Sequence, residues 1–81
     1  MFTEILKDIA NKNSTKIEEI KNEVTNSTTY FFPKYTNLLH DEVKDEVERF
    51  NSISAVNGNL KASFDSRSDL NYISVEVIPY S

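Results

Sequence analysis

Hydrophobic residues near the start of the chain recur at helical spacing. Four of them lie three or four positions apart and share one face of a helix: Phe2, Ile5, Leu6 and Ile9. Thr3 is suited to cap the free backbone amides, and acidic residues follow in the first turns. This pattern predicts a short amphipathic helix over residues 3–11.

The following segment is also predicted to be helical. The polar run 11–14 interrupts the first helix, because Asn and Ser side chains bond to their own backbone. Residues 15–18 then match a capping box, which favours a second helix over residues 15–25. Its apolar stripe consists of Ile17, Ile20 and Val24. The same spacing continues backwards through Asn13, so one helix over residues 3–25 is the alternative.

An aromatic cluster precedes the clearest helix of the sequence. Tyr30, Phe31 and Phe32 are followed by Pro33, whose ring allows a helix to begin there but not to run through it. Beyond it, several apolar residues fall within about 120° on a helical wheel: Tyr35, Leu39, Val43, Val47 and Phe50. We predict a helix over residues 33–50.

In the last third of the chain the periodicity becomes strand-like. Asn57 and Gly58 separate two apolar runs, and this pair is the preferred sequence of a two-residue type I′ hairpin turn. The hairpin predicts strands at residues 52–56 and 59–64. A third strand is predicted over residues 71–78, with three apolar side chains on one side: Ile73, Val75 and Val77.

Together these elements predict an α+β fold. Two or three N-terminal helices pack on one face of a C-terminal three-stranded antiparallel β-meander. The chain of 81 residues suffices for one hydrophobic core, so residues 1–81 are predicted to form a single domain. A core of this size gives marginal stability, which the pairing of two chains would improve.

The composition argues against catalysis. The chain has no Cys, one His and one Gly, which excludes disulfides, thiolate metal sites and glycine-rich phosphate loops. His40, Asp41 and Glu42 are consecutive, and adjacent side chains on a helix diverge by about 100°. We therefore predict no enzymatic activity, no catalytic residue, no metal site and no cofactor. His40 is expected to be half-buried and structural.

The charge distribution favours a protein partner. Nine basic and thirteen acidic side chains give a net charge of −4. An acidic chain without a basic stripe is repelled by phosphates, which disfavours direct nucleic-acid binding, and it attracts basic surfaces on other proteins.

No apolar run reaches the roughly 18 to 20 residues of a membrane span, and no secretory leader is recognisable. A cytoplasmic location is therefore expected.

Carboxylates line one face of the helix predicted at residues 33–50. Asp41, Asp45 and Glu48 follow an i, i+4, i+7 spacing, and Glu42 flanks them. Neighbouring carboxylates in such a row are about 5 to 6 Å apart, which resembles the spacing of phosphates along a nucleic-acid strand. The row predicts a surface that binds in place of DNA. A helix face that is merely solvated is the alternative.

The aromatic residues form a second group of candidate partner-binding side chains: Tyr30, Phe31, Phe32 and Tyr35. Clustered aromatic rings anchor interfaces because they bury much area at little entropic cost. In a domain of this size they also serve to fill the core, and the sequence leaves both roles open.

From these features we expect a small acidic interaction module, acting as an inhibitor that engages a basic, nucleic-acid-binding surface in the manner of a DNA mimic. Small acidic chains without catalytic groups are a common form of phage and mobile-element inhibitors, which act in the cytoplasm of the host cell. The alternative is a structural homodimer or assembly subunit whose acidic residues maintain solubility.

Overall fold

The structure, a computed structural model, describes residues 2–57 and 59–79, with the backbone alone described for residues 54–57. Within these ranges the chain forms two helices and four strands. In chain order they are α1 (Phe2–Lys12), β1 (Glu18–Asn22), β2 (Ser27–Phe32), α2 (Asn37–Asn57), β3 (Leu60–Arg67) and β4 (Tyr72–Pro79). The α+β class predicted from the sequence is confirmed.

The sheet differs from the predicted three-stranded meander. It contains four strands in the order β1-β2-β4-β3, and all neighbouring strands are antiparallel. Because β2 and β3 both pair with β4, they run parallel to each other, and α2 forms the crossover between them. The sheet is therefore assembled from two hairpins, with β4 inserted between β2 and β3.

The core lies between one face of the sheet and both helices. Tyr30 pairs with Val75 and Phe32 with Ile73, so these four side chains share the covered face. The buried apolar residues are Leu6, Ile9 and Ala10 from α1, Leu39, Val43 and Val47 from α2, and Tyr30, Phe32, Ala62, Ile73 and Val75 from the sheet. The opposite sheet face, which carries Ile20, Phe31 and Tyr72, is called the open face below.

The first helix confirms its prediction. α1 spans Phe2–Lys12 and ends at the polar run that was expected to interrupt it. Ser14 adopts a φ of 55°, in the left-handed region, and the Thr15 amide donates to the Ala10 carbonyl at 3.0 Å. A left-handed residue just after the last turn is a common helix terminator.

The helix predicted at residues 15–25 is wrong, and so is the single-helix alternative over residues 3–25. This segment forms β1 and the turn that leads into β2, with Asn26 in the left-handed region at a φ of 56°. Ile20 and Val24, assigned to a buried stripe, are 52% and 95% exposed. The β-branched and aromatic residues of β2 favour pairing on both sides, and that pairing overrides the local helical spacing.

The second helix is displaced towards the C-terminus relative to residues 33–50. It begins after Thr36, whose hydroxyl accepts the Leu39 amide at 3.0 Å, and it continues to Asn57. The strand predicted at residues 52–56 is therefore wrong, since that segment extends the helix. The predicted turn includes Gly58, which lies outside the described residues.

The last two predicted strands are confirmed as strands. The segment predicted at 59–64 is β3, which begins at Leu60 and runs on to Arg67. The segment predicted at 71–78 is β4, and Ile73 and Val75 face the core as expected. The connection contains Asn71 at a φ of 57°, and its side-chain oxygen accepts the Tyr35 amide at 2.8 Å.

Candidate functional site

A row of carboxylates lies on the solvent-facing side of α2, opposite its buried residues. Asp41, Asp45 and Glu48 are all exposed, as the helical spacing predicted. We call these three residues the acidic row. In α2 five acidic side chains accompany two basic ones, whereas the rest of the chain carries eight acidic and seven basic side chains. Most of the net negative charge of the protein therefore comes from this helix.

The acidic row keeps its charge available to solvent. Asp41 contacts its neighbour His40, with 3.1 Å between the carboxylate oxygen and Nδ1. Among the residues that the structure describes, neither Asp45 nor Glu48 forms an ion pair. Lys44 is also exposed and lies beside the row on the same helix. No basic side chain among the described residues therefore neutralises Asp45 or Glu48.

Glu42, also predicted to bind a partner, forms two contacts within the chain. One of its carboxylate oxygens lies 2.9 Å from Lys12 Nζ, and the other accepts a hydrogen bond of 2.8 Å from the Asn13 amide group. These contacts tie the end of α1 to α2. The hydrogen bond from Asn13, followed by the bond from Lys12, lowers the pKa of Glu42 below its ordinary value. Glu42 is therefore a link between the helices.

An open groove of about 390 Å³ runs between α1 and α2. Its lining combines two isoleucines, one lysine and four acidic residues: Ile5, Asp8, Ile9, Lys12, Glu42, Asp45 and Glu46. Lys12 is bonded to Glu42, and Arg49 binds Glu46 at 3.0 Å, which leaves Asp8 and Asp45 as the exposed carboxylates at the rim. Asp45 thus belongs both to the groove and to the acidic row, and the acidic surface extends across to α1.

The four candidate aromatic residues are dispersed over the fold. Tyr30 is 6% exposed and Phe32 is fully buried, so both belong to the core, which is one of the two roles that the sequence left open. Phe31 points to the open face, because successive side chains of a strand alternate, and it stacks on Tyr72 with 5.6 Å between ring centroids. Tyr35 packs beside His40 in the approach to α2. None of the four joins the acidic row.

His40 has the half-buried structural position expected of it. Its ring lies edge-on to Phe64, with 5.1 Å between centroids, and 5.8 Å from the ring of Tyr35. These ring contacts help to seat α2 against β3. Across the described ranges, no group of three or more His, Asp or Glu side chains has an arrangement suited to a metal ion.

Asp8 belongs to the acidic surface but does not stand out in the sequence. It is one exposed acid in an amphipathic helix, and nothing in the local pattern indicates that it lines the same groove as Asp45. Its position in the groove depends on how α1 and α2 pack. The helical wheel alone places Asp8 at the margin of the apolar stripe, which is the single signal that the sequence offers.

Comparison with known proteins provides no family from which to infer a function. No protein-family model matches the sequence, and no curated protein matches it either. In the part of the chain that the structure describes, neither helix combines the length and apolar character needed to cross a membrane. The function must therefore be inferred from the charge and geometry of the acidic surface.

Proposed function

We propose that this protein is a small acidic interaction module that binds a basic, nucleic-acid-binding surface of another protein. By occupying that surface it inhibits the partner, in the manner of a DNA mimic. The observation that carries the proposal is the acidic row of Asp41, Asp45 and Glu48, exposed on one helix. The remainder of the chain is close to charge balance, so the negative field is concentrated on one side.

The acidic row is held on a rigid support. The opposite side of α2 buries Leu39, Val43 and Val47 in the core, so the orientation of the helix is fixed before a partner arrives. Asp41 and Glu48 are seven residues apart, which corresponds to about 10 Å along the helix axis. A preorganised row of this kind loses little entropy on binding. The phosphate-binding surface of a partner is basic, so it attracts the row electrostatically.

The groove between the helices complements the row. Ile5 and Ile9 provide an apolar floor, and Asp8 and Asp45 provide exposed charges at its rim. Lys and Arg side chains bury their aliphatic stems along apolar surface while the charged group stays at the edge. The groove therefore suits a basic side chain that projects from the partner. It adds shape complementarity to a contact that would be unspecific if it depended on charge alone.

This function requires no catalytic residue, metal ion or cofactor from the chain. It also implies that the chain itself does not bind nucleic acid, since its surface repels phosphates. A phage or mobile-element origin, with action in the cytoplasm of a host cell, stays a prediction from size and charge.

The test compares two variants with the same change in charge. The first, Asp41→Asn/Asp45→Asn/Glu48→Gln, neutralises the acidic row. The second, Glu18→Gln/Glu23→Gln/Glu76→Gln, neutralises three exposed acids elsewhere. A basic protein captured from host lysate by the wild type is purified, and its dissociation constant is measured for all three proteins.

Loss of binding in the first variant alone supports the proposal. Equal losses of affinity in both variants would show that binding depends only on net charge. Unchanged affinity in both variants would show that the acidic row is not the binding surface.

A further inference from the structure

The two edges of the sheet differ in how they are covered. At the β3 edge, the Asn51 side chain of α2 donates to the Ala62 carbonyl at 2.9 Å and accepts from the Ala62 amide at 2.8 Å. At the β1 edge, no described strand pairs with the outer side of Glu18–Asn22, and all five residues are exposed. A helix side chain therefore occupies one edge, whereas the other presents its backbone groups to solvent.

The sequence of β1 is complementary to itself. When two antiparallel copies of β1 meet about a two-fold axis at Ile20, Glu19 of each copy lies opposite Lys21 of the other. The remaining pairs are Ile20 with Ile20 and the uncharged Asn22 with Glu18. Opposite charges in directly facing cross-strand positions stabilise a sheet, so this register combines two attractive pairs with a central apolar pair.

We propose that the β1 edge docks a second copy of this chain, in an antiparallel pairing centred on Ile20. The result is a continuous eight-stranded sheet with the helices of both copies on the same side. This dimer leaves the acidic row on α2 accessible, and it does not depend on the proposed inhibitory function.

The charges on β1 select one register of pairing. Charged side chains on an exposed edge strand ordinarily discourage edge-to-edge association. Moving the two-fold axis from Ile20 to Glu19 places two Glu19 side chains opposite each other, and moving it to Lys21 places two Lys21 side chains opposite each other. Like charges in facing positions are destabilising. The alternation of Glu19 and Lys21 thus permits the centred dimer and opposes its neighbouring registers.

The open face supplies apolar surface to the same contact. Ile20 is 52% exposed, and it lies diagonally across the strand pair from Phe31, which stacks on Tyr72. In the proposed dimer, Ile20, Phe31 and Tyr72 of one copy and the same three residues of the other copy form one continuous apolar row. The two Ile20 side chains lie at its centre. Burial of exposed isoleucine is the main hydrophobic gain of the pairing.

A charge-swap experiment tests the dimer directly, with sedimentation equilibrium as the measurement. The wild type should reach twice the monomer mass of 9.3 kDa as its concentration rises. Lys21→Glu should lower the association constant by about tenfold or more, since both attractive pairs become repulsive. The double variant Glu19→Lys/Lys21→Glu restores opposite charges in facing positions and should restore dimerisation. Circular dichroism checks that each variant is folded.

A cysteine variant provides an independent measurement. The natural chain has no Cys, so Ile20→Cys introduces one thiol per copy. Facing residues of antiparallel strands have Cα atoms about 4.5 to 5.5 Å apart, within the range that a disulfide bridges. Oxidation should link two copies of Ile20→Cys rapidly and should leave Val24→Cys, in the exposed turn, largely unlinked.

Three results would overturn the proposal. The first is a wild type that stays monomeric up to its solubility limit, and the second is equal cross-linking of Ile20→Cys and Val24→Cys. The third is a charge-swapped double variant that dimerises no better than Lys21→Glu.

Discussion

Asn51 binds the backbone of Ala62 much as a neighbouring strand would, with one hydrogen bond to the carbonyl and one from the amide. Ala62 is 2% exposed, so water does not reach these groups freely. The contact fastens the C-terminal part of α2 to the edge of β3. It lies just beyond Phe50, where the hydrophobic stripe predicted the end of the helix, whereas α2 continues to Asn57.

Replacement of Asn51 should therefore destabilise the fold. In Asn51→Ala the buried amide and carbonyl of Ala62 lose their partners, and we expect the free energy of unfolding to fall by about 2 to 3 kcal/mol. Urea denaturation measures this change. Ser52→Ala, which removes a hydroxyl that bonds within its own helix, is the matched control and should change stability by less than about 0.5 kcal/mol. Equal effects of the two substitutions would contradict the edge-covering role of Asn51.

Glu42 should make stability depend on pH. Its pKa is lowered in the folded protein, mainly by the hydrogen bond from Asn13 and then by Lys12, from an ordinary value of 4.5. The unfolded chain therefore takes up a proton at this carboxyl more readily than the folded one does. The stabilising contribution is fully present above pH 4.5 and is lost as the pH falls through the lower folded value.

Denaturation of wild type and Glu42→Gln across acidic pH measures this contribution. The variant should be less stable at neutral pH, and the difference should shrink as the pH falls below 4.5. Glu48→Gln is the control, since Glu48 is exposed and forms no ion pair within the described residues. A stability difference for Glu42→Gln that stays constant from neutral to acidic pH would contradict the assignment.

Phe31 and Phe32 are adjacent in sequence and should respond differently to truncation. Phe32 is fully buried, so Phe32→Ala should lower the free energy of unfolding by about 3 to 5 kcal/mol. Phe31→Ala removes a half-exposed ring from the open face and should cost clearly less. Thermal denaturation distinguishes the two. A larger loss for Phe31→Ala would reverse the assignment of the covered and open faces.

The parts of the structure that the sequence predicts well depend on local periodicity. The amphipathic stripe of α1 and the exposed row at Asp41, Asp45 and Glu48 both follow from the geometry of a single helix. Neither requires knowledge of a distant partner. The alternating residues of β4 likewise indicate a strand half-buried against a core.

The parts that the sequence predicts poorly depend on distant pairing. Ile17, Ile20 and Val24 fit a helical stripe, but β2 pairs with β4 more than forty residues further along the chain, and β1 follows β2 into the sheet. The local pattern carries no sign of that contact. The groove that Asp8 and Asp45 both line has the same origin, because it results from the packing of α1 against α2.

We propose that the acidic row competes with nucleic acid for a basic surface of the partner. The most direct measurement is the displacement of a labelled DNA duplex from the captured partner by wild type and by Asp41→Asn/Asp45→Asn/Glu48→Gln, at several salt concentrations. The wild type should displace DNA, its binding to the partner should weaken as salt rises, and the variant should displace little DNA at any salt concentration. A complex in which partner, wild-type protein and DNA coexist, or equal displacement by the variant, would contradict it.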